Sequence, residues 1–155
     1  MKNKKCIFFV VLLSLSSFGF AENGERQCLD FRLIDDGKEF DVIMDLMKVP
    51  KKHRKNNMVY MAQHDLNGDK DYEMLTYVES MSFCGRQTGC YIRGYKKFEG
   101  GYVKLFYKNI PTFNKFKENT DKFVCVLSEK SNNWSNVMIN DVDYKMTEGF
   151  YEVKD

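Results

Sequence analysis

The sequence predicts an α+β fold in which one N-terminal helix packs on a meandering antiparallel β-sheet stapled by disulfides. Three observations carry this expectation. Apolar residues between Phe40 and Val49 recur at spacings of three and four, the period of a helix face. From residue 58 onward the pattern changes to short apolar runs separated by Gly, Asn and Asp, the rhythm of strands and turns. Cysteines stand at positions 28, 84, 90 and 125, an even set after a leader is set aside.

The elements follow in order. Leu29 to Ile34 alternates apolar and charged residues as a strand does, with a helical turn as the alternative, and Asp35-Asp36-Gly37-Lys38 makes a turn. The helix uses Phe40, Val42, Ile43, Leu46, Met47 and Val49, and Pro50 stops it. Lys51 to Asn57 is a basic, polar loop. Strands are expected at 58–63, 74–79, 91–97, 102–107, 123–128, 137–139, 142–146 and 150–153. Glu99-Gly100-Gly101 fits a tight hairpin connection, and Asn114 to Asp121 a long polar loop. The sheet is expected to bury one face under the helix.

Residues 1–21 have the form of a secretory signal peptide. Lys2, Lys4 and Lys5 precede the apolar run Ile7–Leu15, and Gly19-Phe20-Ala21 offers small residues for cleavage. That run is shorter than the roughly 20 residues a membrane-spanning helix needs. The expected product is one mature domain, 22–155, located in the periplasm or secreted, with no membrane attachment after cleavage. The charge changes with it. The full chain has 24 Lys+Arg against 22 Asp+Glu, and removing three lysines and no acid leaves 21 against 22, a formal charge of −1. Overall basicity therefore gives no reason to expect nucleic acid as a partner. Cys6 leaves with the leader. The remaining four cysteines allow three connectivities, of which spacing favours Cys84–Cys90, closing a short glycine-containing loop, and Cys28–Cys125, a long bridge.

Three segments are candidates for chemistry. The first is Asp65-Leu66-Asn67-Gly68-Asp69-Lys70-Asp71-Tyr72-Glu73, where oxygen-bearing side chains at Asp65, Asn67, Asp69, Asp71 and Glu73 could converge on calcium. This stretch resembles the DxNGDG loops of integrin-type propeller repeats and dockerin-like calcium loops. Lys70 stands where those loops have glycine, and Thr76 where an EF-hand has its last glutamate. The competing expectation is a polar turn whose Asn and Asp side chains bond to the backbone. The second is the loop Gly85-Arg86-Gln87-Thr88-Gly89, a partner-binding candidate whose Arg86 is suited to a carboxylate-lined cleft. The third is residues 91–117, where Arg93, Lys96, Lys97, Lys104, Lys108, Lys115 and Lys117 alternate with aromatics. That alternation suits a half-buried strand with aromatics inward and lysines in water, or a basic face that docks an acidic protein.

From the acidic Asn-Gly turn through the Cys-Gly…Gly-Cys loop to Trp134, Tyr144 and Tyr151, the chain resembles small exported bacterial β-rich proteins of unassigned activity. That resemblance implies architecture and compartment, and no catalytic residue. No GxSxG, HExxH or phosphate-cradling glycine loop is present. His64 and Asp65 are adjacent, so on a strand they point to opposite faces. The expected function is a non-enzymatic, exported binding module, of inhibitor or immunity type, that docks another protein. A calcium-stabilised extracellular module and a small secreted hydrolase are the alternatives. The oligomeric state is left open.

Overall fold

The computed structural model describes residues 25–79, 84, 89–110 and 123–154. The expected leader at 1–21, the loop residues Gly85 to Thr88 and the expected polar loop Asn114 to Asp121 lie outside them. Among the described residues ten strands form: β1 (Arg26–Cys28), β2 (Arg32–Ile34), β3 (Met58–His64), β4 (Glu73–Glu79), β5 (Cys90–Phe98), β6 (Gly101–Ile110), β7 (Val124–Ser131), β8 (Trp134–Ile139), β9 (Val142–Met146) and β10 (Tyr151–Val153). One α-helix, α1 (Gly37–Leu46), and one 3-10 helix (Lys51–Asn56) separate β2 from β3.

The single meandering sheet expected from the sequence is corrected to two five-stranded antiparallel sheets, ordered β2-β3-β4-β5-β6 and β1-β7-β8-β9-β10. The reason lies in burial on both faces of the first sheet. Leu75 and Tyr77 of β4 join Ile92, Phe106, Val126, Val137 and Met146 in a core shared by both sheets. Met74 and Val78, on the opposite face of the same strand, pack instead with Phe40, Ile43 and Met44 of α1. Successive strand residues point to opposite faces. A strand with helix on one side and sheet on the other is therefore buried along its whole length, as β4 is. Covering both faces takes more apolar surface than one helix supplies, and the second sheet supplies the remainder.

Local chemistry sets the boundaries. The helix ends at Leu46 rather than Val49 because Lys48 turns left-handed, at φ +58°. Its N–H donates to the Asp45 carbonyl and that of Val49 to the Met44 carbonyl, which returns Val49 to the apolar cluster under the helix. The expected basic loop at 51–57 is mostly the 3-10 helix, and it carries a buried cation. The Arg54 guanidinium donates to the Val49 carbonyl at 3.1 Å and to Asp41 at 2.8 Å, and it also pairs with Asp45. Two-residue turns with both φ values positive, Asn132-Asn133 and Asn140-Asp141, join β7 to β8 and β8 to β9. Asn and Asp are among the side chains that best tolerate this conformation.

Both favoured disulfides are present, Cys28–Cys125 and Cys84–Cys90. The first links directly paired positions of β1 and β7. It fastens a three-residue strand that carries little apolar surface of its own. Disulfides of this kind suit an oxidising compartment. Among the described residues no helix is long and apolar enough to cross a membrane.

Candidate functional site

The candidate site is built where β5 and β6 lose their regular alternation. Gly94 pairs with Phe106, but the next residue, Tyr95, pairs with Lys104, so Leu105 is an extra residue on β6. Gly94 is required there. A Cβ at that position would stand 2.2 Å from Phe106 Cε1, so the ring lies against bare backbone. Leu105 and Phe106 both turn into the core between the sheets. As a consequence Lys104 and Tyr107, three apart, face the same outer side. Their cross-strand partners there are Tyr95 and Arg93.

That outer side is only partly covered by α1. Between the helix end and the strands lies a cleft of about 320 Å³ lined by Leu46, Arg93, Tyr95, Tyr102, Lys104 and Tyr107. Tyr107 organises it. Its ring stacks on that of Tyr91 with centroids 4.4 Å apart. The Arg93 guanidinium lies 5.1 Å and the Lys104 ammonium 5.4 Å from its centroid. Burial, with its contact to Tyr91, holds the Tyr107 phenol above its ordinary pKa, while hydrogen bonding from Tyr107 and Asn109 holds the Tyr91 phenol below. The formally charged side chains of the cleft lining are Arg93 and Lys104.

The neighbouring acids are engaged elsewhere. Glu39 pairs with Arg32 at 2.7 Å, and Asp41 and Asp45 pair with Arg54. Among the described residues, neither Arg93 nor Lys104 enters an ion pair. Two cations thus gather over one aromatic ring beside an open cleft. This arrangement attracts an anion. Tyr95 packs in the apolar cluster under α1, and Tyr107 is 43% exposed. Period-two alternation in the sequence places aromatics inward and cations outward, and the bulge breaks that parity. Leu46 was legible as a residue of the helix face, but no local pattern joins it to β5 and β6.

The acidic loop has a different internal order. Asp65 accepts from the N–H groups of Gly68 at 2.7 Å and Lys70 at 3.0 Å. Asp69 accepts from the N–H of Asp71 at 2.8 Å, from the Asn67 amide at 2.8 Å and from Lys96 at 2.5 Å. The Asn67 side-chain oxygen takes the N–H of Asp69 at 3.1 Å. Glu73 is wholly buried and accepts from the N–H of Leu66 at 2.7 Å, with Lys96 3.8 Å away. Asp71 contributes its backbone N–H. Among the described residues no three His, Cys, Asp or Glu side chains are grouped to hold a metal. Through these bonds Asp65, Asn67, Asp69 and Glu73 close a polar turn, and Lys96 stands against Asp69 and Glu73.

Of the Gly85 to Gly89 loop, Gly89 is described. It has φ +71° and leads into Cys90, the first residue of β5. The disulfide from Cys84 closes there, one residue before Tyr91. His64 pairs across the hairpin with Glu73, is half-buried, and is held below its ordinary pKa by that burial, with Asp65 opposing. No protein-family model, no curated protein and no solved structure matches this chain.

Proposed function

We propose that this chain is an exported, non-enzymatic binding module that docks an acidic segment of another protein on the outer face of β5 and β6. The observation that supports it is the convergence of Arg93 and Lys104 around Tyr107 in a cleft of about 320 Å³, with the adjoining helix acids paired elsewhere. Arginine and tyrosine are the side chains most often found at the energetic centre of protein interfaces. Export rests on the leader-like residues 1–21 and accords with two disulfides. An inhibitor or immunity role is consistent with this architecture by analogy. The glycine-flanked loop carrying Arg86 remains a candidate second contact, since its closing disulfide sits at the start of β5.

The test is capture of a partner from the exported fraction, its identification, and calorimetric titration with variants. Lys104→Glu places an acid in the cleft. It is expected to weaken binding at least about tenfold, with affinity falling as salt rises. Arg86→Ala separates the loop from the cleft. Affinity unchanged in Lys104→Glu and in Arg93→Gln overturns the reading.

A further inference from the structure

The two sheets have four edges, and they are unequal. β1, β2 and β10 are three residues each. Edges that short offer little to pair with, a common protection against association. β6 is also an edge strand, with ten residues. Among the described residues it pairs only with β5. The bulge at Leu105 divides it, but beyond the bulge Phe106 to Ile110 runs in regular register opposite Cys90 to Gly94. Five residues of extended strand present about 16 Å of edge.

The cations of the cleft belong to this edge. Lys104 is on β6 itself. Arg93 is one strand further in, yet its guanidinium stands 5.1 Å from the ring centroid of Tyr107 on β6. An added strand would run about 4.8 Å beyond β6, within reach of both side chains. Its outward side chains would lie beside Tyr107, where the charge is positive and uncompensated among the described residues. Lysine beside an open edge normally discourages pairing, and for an acidic strand the same lysine becomes a partner.

We propose that the acidic segment docks in extended form, as a sixth strand hydrogen-bonded to the edge of β6 along Phe106–Ile110, with a carboxylate beside Tyr107 held by Arg93 and Lys104. This rests on the acidic-segment reading of the cleft and adds how that segment is held. Main-chain pairing supplies affinity, and alternate side chains supply selectivity.

The probe is an end-capped octapeptide alternating Glu and Val, titrated by NMR against the mature chain. It is compared with the same peptide N-methylated at its four central residues, which keeps every charge and removes the donors that pairing needs. The expected result is that methylation weakens binding at least tenfold and that the unmethylated peptide slows amide exchange within Phe106–Ile110. Equal, salt-sensitive binding of both peptides overturns strand addition while leaving the acidic cleft intact. Failure of both peptides to bind at millimolar concentration overturns both. Binding of oligouridylate with neither peptide bound likewise overturns both, and points to a nucleic-acid face.

Discussion

The acidic loop between β3 and β4 and the basic cleft on β5 and β6 contrast in how their charges are used. The loop looks the more chemical of the two in the sequence, with four carboxylates in nine residues. Yet Asp65 and Asp69 are satisfied by backbone N–H groups, Asn67 and Lys96, and Glu73 is folded into the core beneath. The cleft looks ordinary in the sequence, a strand of alternating tyrosines and lysines. There the charges converge on one ring and stay available. Charge density marks a site poorly, because a closed network has already spent its charges on holding the chain together. Charge left unpaired beside a concave surface is the more informative observation.

The largest expected effect breaks the cleft's foundation. Gly94→Ala puts a Cβ into the Phe106 ring, which packs edge-on against Tyr151 with centroids 5.8 Å apart. Overpacking of this kind costs about 1–3 kcal/mol. Both the urea midpoint and peptide binding at Lys104 should fall, because the bulge that aligns Lys104 with Tyr107 depends on the same contact. Unchanged stability would mean that Phe106 has room to retreat, and that the bulge is not what builds the cleft.

A smaller effect opens the loop's network. Lys96 holds the Asp69 carboxyl down to about 2, aided by the Asp71 N–H and Asn67. Burial pushes Glu73 above its ordinary value, against the Leu66 N–H and Lys96. The signs differ. Asp69 titrates at about 3.9 when unfolded, so its contribution is fully present above that pH and is lost as pH falls through about 2. Glu73 acts the other way. The unfolded carboxyl ionises at about 4.3, before the folded one, so stability declines as pH rises above that point until the folded group ionises too. Lys96→Met should therefore cost most at neutral pH, and the cost should shrink between about pH 4 and pH 2. Urea midpoints across pH 2–8 measure it, and a cost independent of pH would assign Lys96 to packing over Trp134, 5.0 Å from its ammonium, instead.

Much of the architecture was legible in the sequence, because strand and turn signals act over a few residues. The hairpin at Glu99-Gly100-Gly101 and both disulfides follow from local pattern and cysteine spacing, whereas the helix expected over Phe40–Val49 is observed as Gly37–Leu46. What escaped was parity and distance. One extra residue at Leu105 moves Tyr107 to the face of Lys104, and nothing in a window of alternating residues announces it. Only Gly94, a glycine inside a strand, is a cue. The second sheet escaped for a related reason. β1 is Arg26-Gln27-Cys28, polar and short, and it pairs with a strand 97 residues away through Cys125. The structure pairs Cys28 directly with Cys125 across β1 and β7, and it is this strand pairing, beyond the disulfide itself, that puts β1 in the second sheet. The turns Asn132-Asn133 and Asn140-Asp141, which join β7-β8-β9 as a meander, were not read as hairpins from the sequence.

The smallest expected effect is none at all, and it tests the loop most directly. Calcium at this loop would have to displace the Gly68 and Lys70 N–H groups from Asp65, and the Asp71 N–H, Asn67 and Lys96 from Asp69. It would also have to approach an ammonium group 2.5 Å from one of its ligands. A site with a Kd of 1 mM would still register. At 10 mM calcium it would stabilise the fold by about 1.4 kcal/mol, on the order of 5 °C in Tm for a domain of this size. The expected difference between calcium and chelator is below about 1 °C. A larger rise would mean that the loop's carboxylates leave Lys96 and the backbone at little cost, and the distinction between a closed loop and an open cleft would lose its physical basis. The same melt in Lys96→Met is the control. With the ammonium removed, Asp69 and Glu73 lose a competing cation, so any latent calcium affinity should appear there first.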